Sequence, residues 1–185
     1  MTLTIILALI AAAVLYGISI YNRLVKNKNM VEEGWSGSDV QLKRRSNLIP
    51  TLLNSVKGYM KHEKDLLTEV TRLRANAEEA ESKSPAARSQ AESALSAGLI
   101  KLFAVMENYP DLKANQNVME FQESLETIEN EIQMSRRYYN GAVRNLNVLI
   151  ESFPSNLIAN WFKFIKAEFF EIEDDADRAV PKVEF

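Results

Sequence analysis

The chain has 185 residues, a formal net charge of −3 and no cysteine, with a sequence pI near 5.4. This acidic balance argues against the basic face typical of nucleic-acid binders, and without a thiol there is neither a cysteine nucleophile nor a thiolate metal ligand. The missing disulfides fit a reducing compartment, and fit a disulfide-free exported domain almost as well.

Thr2 to Asn22, TLTIILALIAAAVLYGISIYN, carries no charged side chain. Its core from Leu3 to Ile20 would span ~27 Å as a helix at ~1.5 Å per residue, close to the ~30 Å hydrocarbon layer of a bilayer. The stretch reads as an uncleaved membrane anchor. A cleaved leader is the alternative, but no positive charge precedes Leu3, and Ser19-Ile20-Tyr21-Asn22-Arg23 offers no small-x-small pair. Tyr16 and Tyr21 suit the membrane interface. Arg23, Lys26 and Lys28 follow at once, so the positive-inside rule puts the N-terminus outside and residues 23–185 in the cytoplasm.

Past the anchor, one domain's worth of chain remains. Residues 23–45 carry six basic and three acidic side chains, whereas residues 166–185 carry three and seven. A basic segment gains ~1 kcal/mol per Lys or Arg near an anionic leaflet. Five prolines punctuate runs of helical apolar spacing, the pattern of an all-α chain. The expected divisions are an anchor over 1–22, a long-helix bundle over 23–153, and an aromatic short helix with an acidic tail over 154–185.

From Asn22 to Ser46, Leu24, Val31, Trp35, Val40 and Leu42 keep helical spacing, so the anchor helix is free to continue. Gly34 and Gly37 weaken that reading at ~1 kcal/mol each, unless they allow a neighbouring helix to come close. Trp35 is most simply a core residue. Asn47-Leu-Ile-Pro50 predicts a kink or restart, followed by one amphipathic helix to about Glu81 through Leu52, Val56, Tyr59, Leu66, Val70, Leu73 and Ala77, with a stripe narrow enough for coiled-coil packing. A third helix is expected from Pro85 to Asn108, rich in small residues that permit close packing. The longest periodic run covers 111–153, with Asp111 or a neighbour as its cap. These elements predict an elongated antiparallel up-and-down bundle.

Phe153-Pro154 stops the long helix. SNLIANWFKFIKAEFFEIE follows, the most aromatic part of the chain, with two readings: a short helix capping the bundle, or an interfacial segment on the membrane or another subunit. The closing segment, with Val180, Val183 and Phe185 around Pro181, has the form of an end that docks extended or frays.

No constellation carries a reaction. The single histidine, His62, has Leu66 where a zincin needs its second ligand, and it reads as solvated. There is no glycine-rich phosphate loop, and no Ser-His-Asp set avoids borrowing His62. Glu32/Glu33, Glu78/Glu79 and Asp174/Asp175 are adjacent pairs that face different sides of a helix. A di-iron bundle site needs Glu-x-x-His twice. The expectation is therefore no enzyme, no metal, no cofactor and no small-molecule substrate. Arg and Tyr are favoured at interfaces, which makes Arg136, Arg137 and Tyr138, together with Trp35, Trp161, Phe162 and Phe169, the candidate interface; Asn115-Gln116-Asn117 is a second polar cluster.

A set of motifs along nearly the whole chain resembles the LemA family: Tyr21-Asn22 closing the apolar run, Asp39-Val-Gln-Leu-Lys-Arg-Arg, Asn47-Leu-Ile-Pro50, Val56-Lys-Gly-Tyr59, His62-Glu63, Tyr109-Pro-Asp-Leu-Lys-Ala-Asn-Gln-Asn117, Arg137-Tyr138 with Asn140, Phe153-Pro154 and Ala179-Val-Pro-Lys-Val-Glu-Phe185. The resemblance implies a bacterial inner-membrane protein with one N-terminal transmembrane helix and a cytoplasmic helical bundle, and it supplies no catalytic residues. It also implies an association with membrane quality control through membrane metalloproteases. Two functions follow as expectations: a membrane-anchored scaffold that self-associates through the small residues Ala8, Ala12, Ala13 and Gly17 and the bundle sides, or an adaptor for another membrane protein such as a protease.

Overall fold

The computed structural model describes residues 1–170, and the expectations for the acidic stretch and for Val180, Val183 and Phe185 lie outside the described residues. Among the described residues six α-helices form: α1 (Thr2–Val56), α2 (Lys64–Glu79), α3 (Pro85–Met106), α4 (Pro110–Lys113), α5 (Gln116–Glu151) and α6 (Ser155–Trp161), with one 3-10 turn at Ala80–Ser82. Among the described residues there is no strand.

Two compact units divide the described residues, one from 1–41 with 131–169, the other from 42–130 with Phe170. The division passes through α1 and α5.

In the second unit, the expected break at Pro50 does not occur, because α1 runs through it to Val56. Proline has no N–H for the carbonyl four residues back, a loss of ~3 kcal/mol or more in a helix interior. The Ser46 carbonyl so released accepts instead from Arg74 Nε of α2 at 2.8 Å. A side chain from a neighbouring helix replaces the missing backbone donor. The break comes later, where the Val56 carbonyl accepts from both Tyr59 N and Met60 N at 3.0 Å. Met60 is wholly buried, and its insertion into the core turns the chain off its helical course. His62 is thus in an exposed turn, not on a helix face.

Helix α3 begins where expected. Ser84 is extended and its Oγ accepts from Ala87 N at 3.3 Å, with Pro85 at the first helical position, the residue pair that suits a helix start. The long run over 111–153 is broken early. Asn115, not Asp111, caps α5, its Oδ1 accepting from Asn117 N at 3.0 Å and Val118 N at 3.4 Å. The core of this unit gathers Ile49, Leu52, Val56 and Met60 with Leu66, Val70, Leu95, Leu102, Leu112 and Val118.

In the first unit the buried apolar residues include Ile20, Leu24 and Val31 on α1, and Ile132, Tyr139, Val143 and Leu146 on α5. Gly34 lets these helices meet: an added Cβ would stand 3.0 Å from the Tyr139 Cα and from Tyr138 Cδ1. After α6 the chain runs on without regular structure, and Asn147 clamps it by donating from Nδ2 to the Ala167 carbonyl and accepting at Oδ1 from Ala167 N, both at 2.9 Å.

Candidate functional site

Helix α1 is long and apolar enough to cross a membrane, and only 6% of its apolar window is buried. That low burial separates it from the core helix of a soluble protein. Leu3, Ile5, Leu9 and Leu15 are exposed, and so is Tyr16. Packing begins near the end of the run. A Cβ on Gly17 would lie 3.7 Å from Ile158 Cδ1 of α6, Ile20 is buried, and the Tyr21 ring stands 4.6 Å from Phe162 and 5.9 Å from Phe164.

The candidate interface residues of this first unit separate into engaged and open ones. Trp35 packs on the Tyr139 ring at 5.3 Å, in keeping with a core role. Arg136 is buried, whereas Arg137 is exposed. Tyr138 is half-exposed and donates from its hydroxyl to Glu33 Oε2 at 3.2 Å. Lost hydration, and then the Glu33 charge, hold the Tyr138 phenol above its usual range. Tyr139 shifts the same way, first through burial and then through the Glu168 charge, and its hydroxyl donates to the Glu168 carbonyl at 2.8 Å. Phe169 is half-buried, Phe162 is half-exposed with its ring against Tyr21, and Trp161 faces outward.

The second unit holds a site that sequence reasoning missed. Arg45 is 1% exposed and holds two carboxylates from two other helices. Its Nη2 donates to Glu92 Oε2 at 2.5 Å and to the Glu92 carbonyl at 3.2 Å; its Nη1 donates to Glu129 Oε2 and Ser96 Oγ, both at 2.6 Å. Arg88 Nε stands 4.0 Å from the other Glu92 oxygen. Placing a guanidinium in the interior is tolerable only with this kind of multiple pairing. The cluster forms one wall of an open groove of about 340 Å³, whose other lining includes Leu99, Ile100, Phe103, Gln122 and Glu126. The sequence did hold a signal: Arg45 falls on the stripe Leu42, Arg45, Ile49, Leu52, Val56. The adjacent Lys43 and Arg44 disguise it as part of a solvated basic run.

Chemically, this arrangement can order helices and present a surface. Among the described residues, no group of three or more His, Asp or Glu side chains is placed to hold a metal ion.

A curated Protein LemA of Metamycoplasma hominis is 26% identical over 156 residues, covering 83% of this chain and 69% of that protein. The family model described as LemA family matches residues 34–185, which leaves the apolar run outside the match. On the extent of that match, the chain belongs to the LemA family.

Proposed function

We propose that the protein is a single-pass scaffold of the bacterial cytoplasmic membrane, with its N-terminus outside and its bundle in the cytoplasm, which self-associates and catalyses no reaction. The observation that carries the reading is the course of α1. Its exposed apolar turns run without interruption into residues that pack against α6. A cleaved leader would have no reason to supply Ile20 and Tyr21 to a packed unit, whereas an anchor that continues as a bundle helix does. The positive flank at Arg23, Lys26 and Lys28 supports the orientation. In this reading the helices form an antiparallel up-and-down bundle with coiled-coil-like packing. Gly17 faces Ile158 of its own chain, so Ala8 and Ala12 remain as the small-xxx-small pair open to a second copy.

The test is the mass of the full-length protein extracted with its lipids, beside the A8L/A12L variant. A uniform multimer that the variant splits supports the scaffold. A monomer from both rejects self-association.

The groove beside Arg45 favours a second reading. Ile100 is largely exposed there, as a contact residue for another membrane protein would be, and a membrane metalloprotease is the partner the sequence resemblance suggests. An I100D variant that keeps its mass but no longer retains such a protease would move the assignment from scaffold to adaptor.

A further inference from the structure

We infer that α6 and the residues flanking it form a lipid-docking wedge, lying in the headgroup region of the leaflet where α1 leaves the membrane. The inference rests on the anchor reading above. Its occupant is the bilayer interface itself.

Position comes first. Ile158 of α6 stands 3.7 Å from where a Gly17 Cβ would be, and Phe162 and Phe164 lie against Tyr21. Gly17 belongs to the apolar run and Tyr21 to its end, so α6 is held at the level where hydrocarbon gives way to headgroups. A surface at that level meets lipid before it meets anything else.

Exposure and composition agree with this level. Phe153 is 80% exposed, Trp161 82% and Ile165 82%, and Leu157 is also open. Single exposed apolar residues are ordinary, but a group of this size on one short stretch marks a binding surface. From Ser152 to Phe162 the sequence has no charged side chain; Lys163 follows, and Lys166 after it is paired with Glu151. Aromatic rings settle at the interface, and lysines reach back from it toward water and anionic headgroups.

The backbone also suits a lipid border, where unpaired polar groups are costly. Helix α6 spans only about 10 Å at ~1.5 Å per residue, too short to cross and suited to lying in the plane. Its C-terminus is closed by Phe164 N donating to the Ala159 carbonyl at 2.9 Å and Lys163 N to the Asn160 carbonyl at 3.3 Å, the pair of bonds that seals a helix around a left-handed residue. Lys163 supplies that residue, at φ 58°.

The experiment uses full-length protein in phosphatidylcholine–phosphatidylglycerol vesicles and compares wild type with W161F, so that the difference in fluorescence reports Trp161 alone. Flotation after an alkaline wash tests the anchor separately. Lipids brominated near the headgroup should quench the Trp161 signal at least about twofold more than lipids brominated near the chain end, because an interfacial helix lies ~5–10 Å into the boundary. Aqueous iodide should quench it weakly. Intact flotation with iodide quenching as strong as in the urea-unfolded protein would overturn the wedge and leave the anchor standing. Protection from both quenchers would mean that another protein surface covers Trp161, and would overturn it as well. Loss of flotation would remove the anchor and the wedge together.

Discussion

Replacing Arg45 with methionine keeps most of the side-chain volume and removes the charge, which makes R45M a direct test of the buried network. The variant leaves Glu92, whose side chain is 6% exposed, with Arg88 Nε at 4.0 Å in place of Arg45 Nη2 at 2.5 Å. Removing one member of a buried pair costs ~3–5 kcal/mol, chiefly from the charge left behind. Glu129 has 35% of its side chain exposed and recovers its hydration, while Arg88 compensates part of Glu92. The expected loss therefore sits at the low end, ~3 kcal/mol. For a chain of this size ~1 kcal/mol moves the melting temperature by ~2–4 °C, so R45M should melt ~6–12 °C below wild type, read by circular dichroism on the full-length protein in detergent. R45M/E92L replaces both members with apolar side chains but takes the Glu92 carboxylate away from buried Arg88, so it should recover part of that loss. R45K retains a charge but cannot reproduce the planar fork, and should fall between R45M and wild type. An R45M shift under ~2 °C, or a double variant no better than the single, would refute the assignment of Arg45 as the tie between these helices.

Other predictions follow from the same geometry. At Gly34 an added methyl meets a backbone atom at 3.0 Å, whereas at Gly37 nothing stands within 4 Å; G34A should therefore destabilise by ~1–3 kcal/mol through overpacking, and G37A should stabilise by ~0.5–1 kcal/mol through helix propensity, both read as urea midpoints. In ultraviolet titration, Tyr109, Tyr138 and Tyr139 should ionise above the ordinary tyrosine value, lost hydration being the largest cause for each. Because the folded values are raised, the protonated phenols favour the folded state; that stability is complete below the ordinary value of ~10 and is lost as pH rises through the folded values. E33Q should bring the Tyr138 titration down toward the ordinary value. K163G should raise the melting temperature slightly, by ~1–2 °C, since glycine takes the left-handed conformation without the ~1–2 kcal/mol strain of a side chain, an advantage partly offset by the freedom of the unfolded glycine chain.

The helical course of this chain was legible because its apolar residues repeat at three and four, and because Ser84-Pro85 is a start signal in its own right. Pro50 was not legible as a mid-helix residue. Reading it correctly requires knowing that Arg74 fills the Ser46 carbonyl, and that bond joins residues 28 apart. Arg45 poses the same difficulty on a larger scale, since its carboxylate partners lie 47 and 84 residues away. A local window cannot show either. Gly34 and Gly37 are alike in sequence, three residues apart, and differ only in whether another helix faces them. Asn115 was noticed as polar, but its role as the cap of α5 depended on where the helix began.

What the pattern could show was disagreement with itself. A guanidinium on the apolar stripe of α1 and an aromatic, charge-free stretch turned outward around α6 break the same rule in opposite directions. The first places charge where the fold buries it, and Glu92 and Glu129 give it a structural reason. The second leaves apolar surface where the fold does not cover it: Trp161, Leu157 and Ile165 stay exposed, with Gly17 and Tyr21 against the inner edge of the stretch. Since Gly17, beside that edge, belongs to the run proposed to cross the membrane, the cover proposed for Trp161, Leu157 and Ile165 is the same bilayer. The two departures thus serve different ends: one holds α1, α3 and α5 in register, and the other, in the lipid-docking proposal, sets the depth at which α6 meets the membrane.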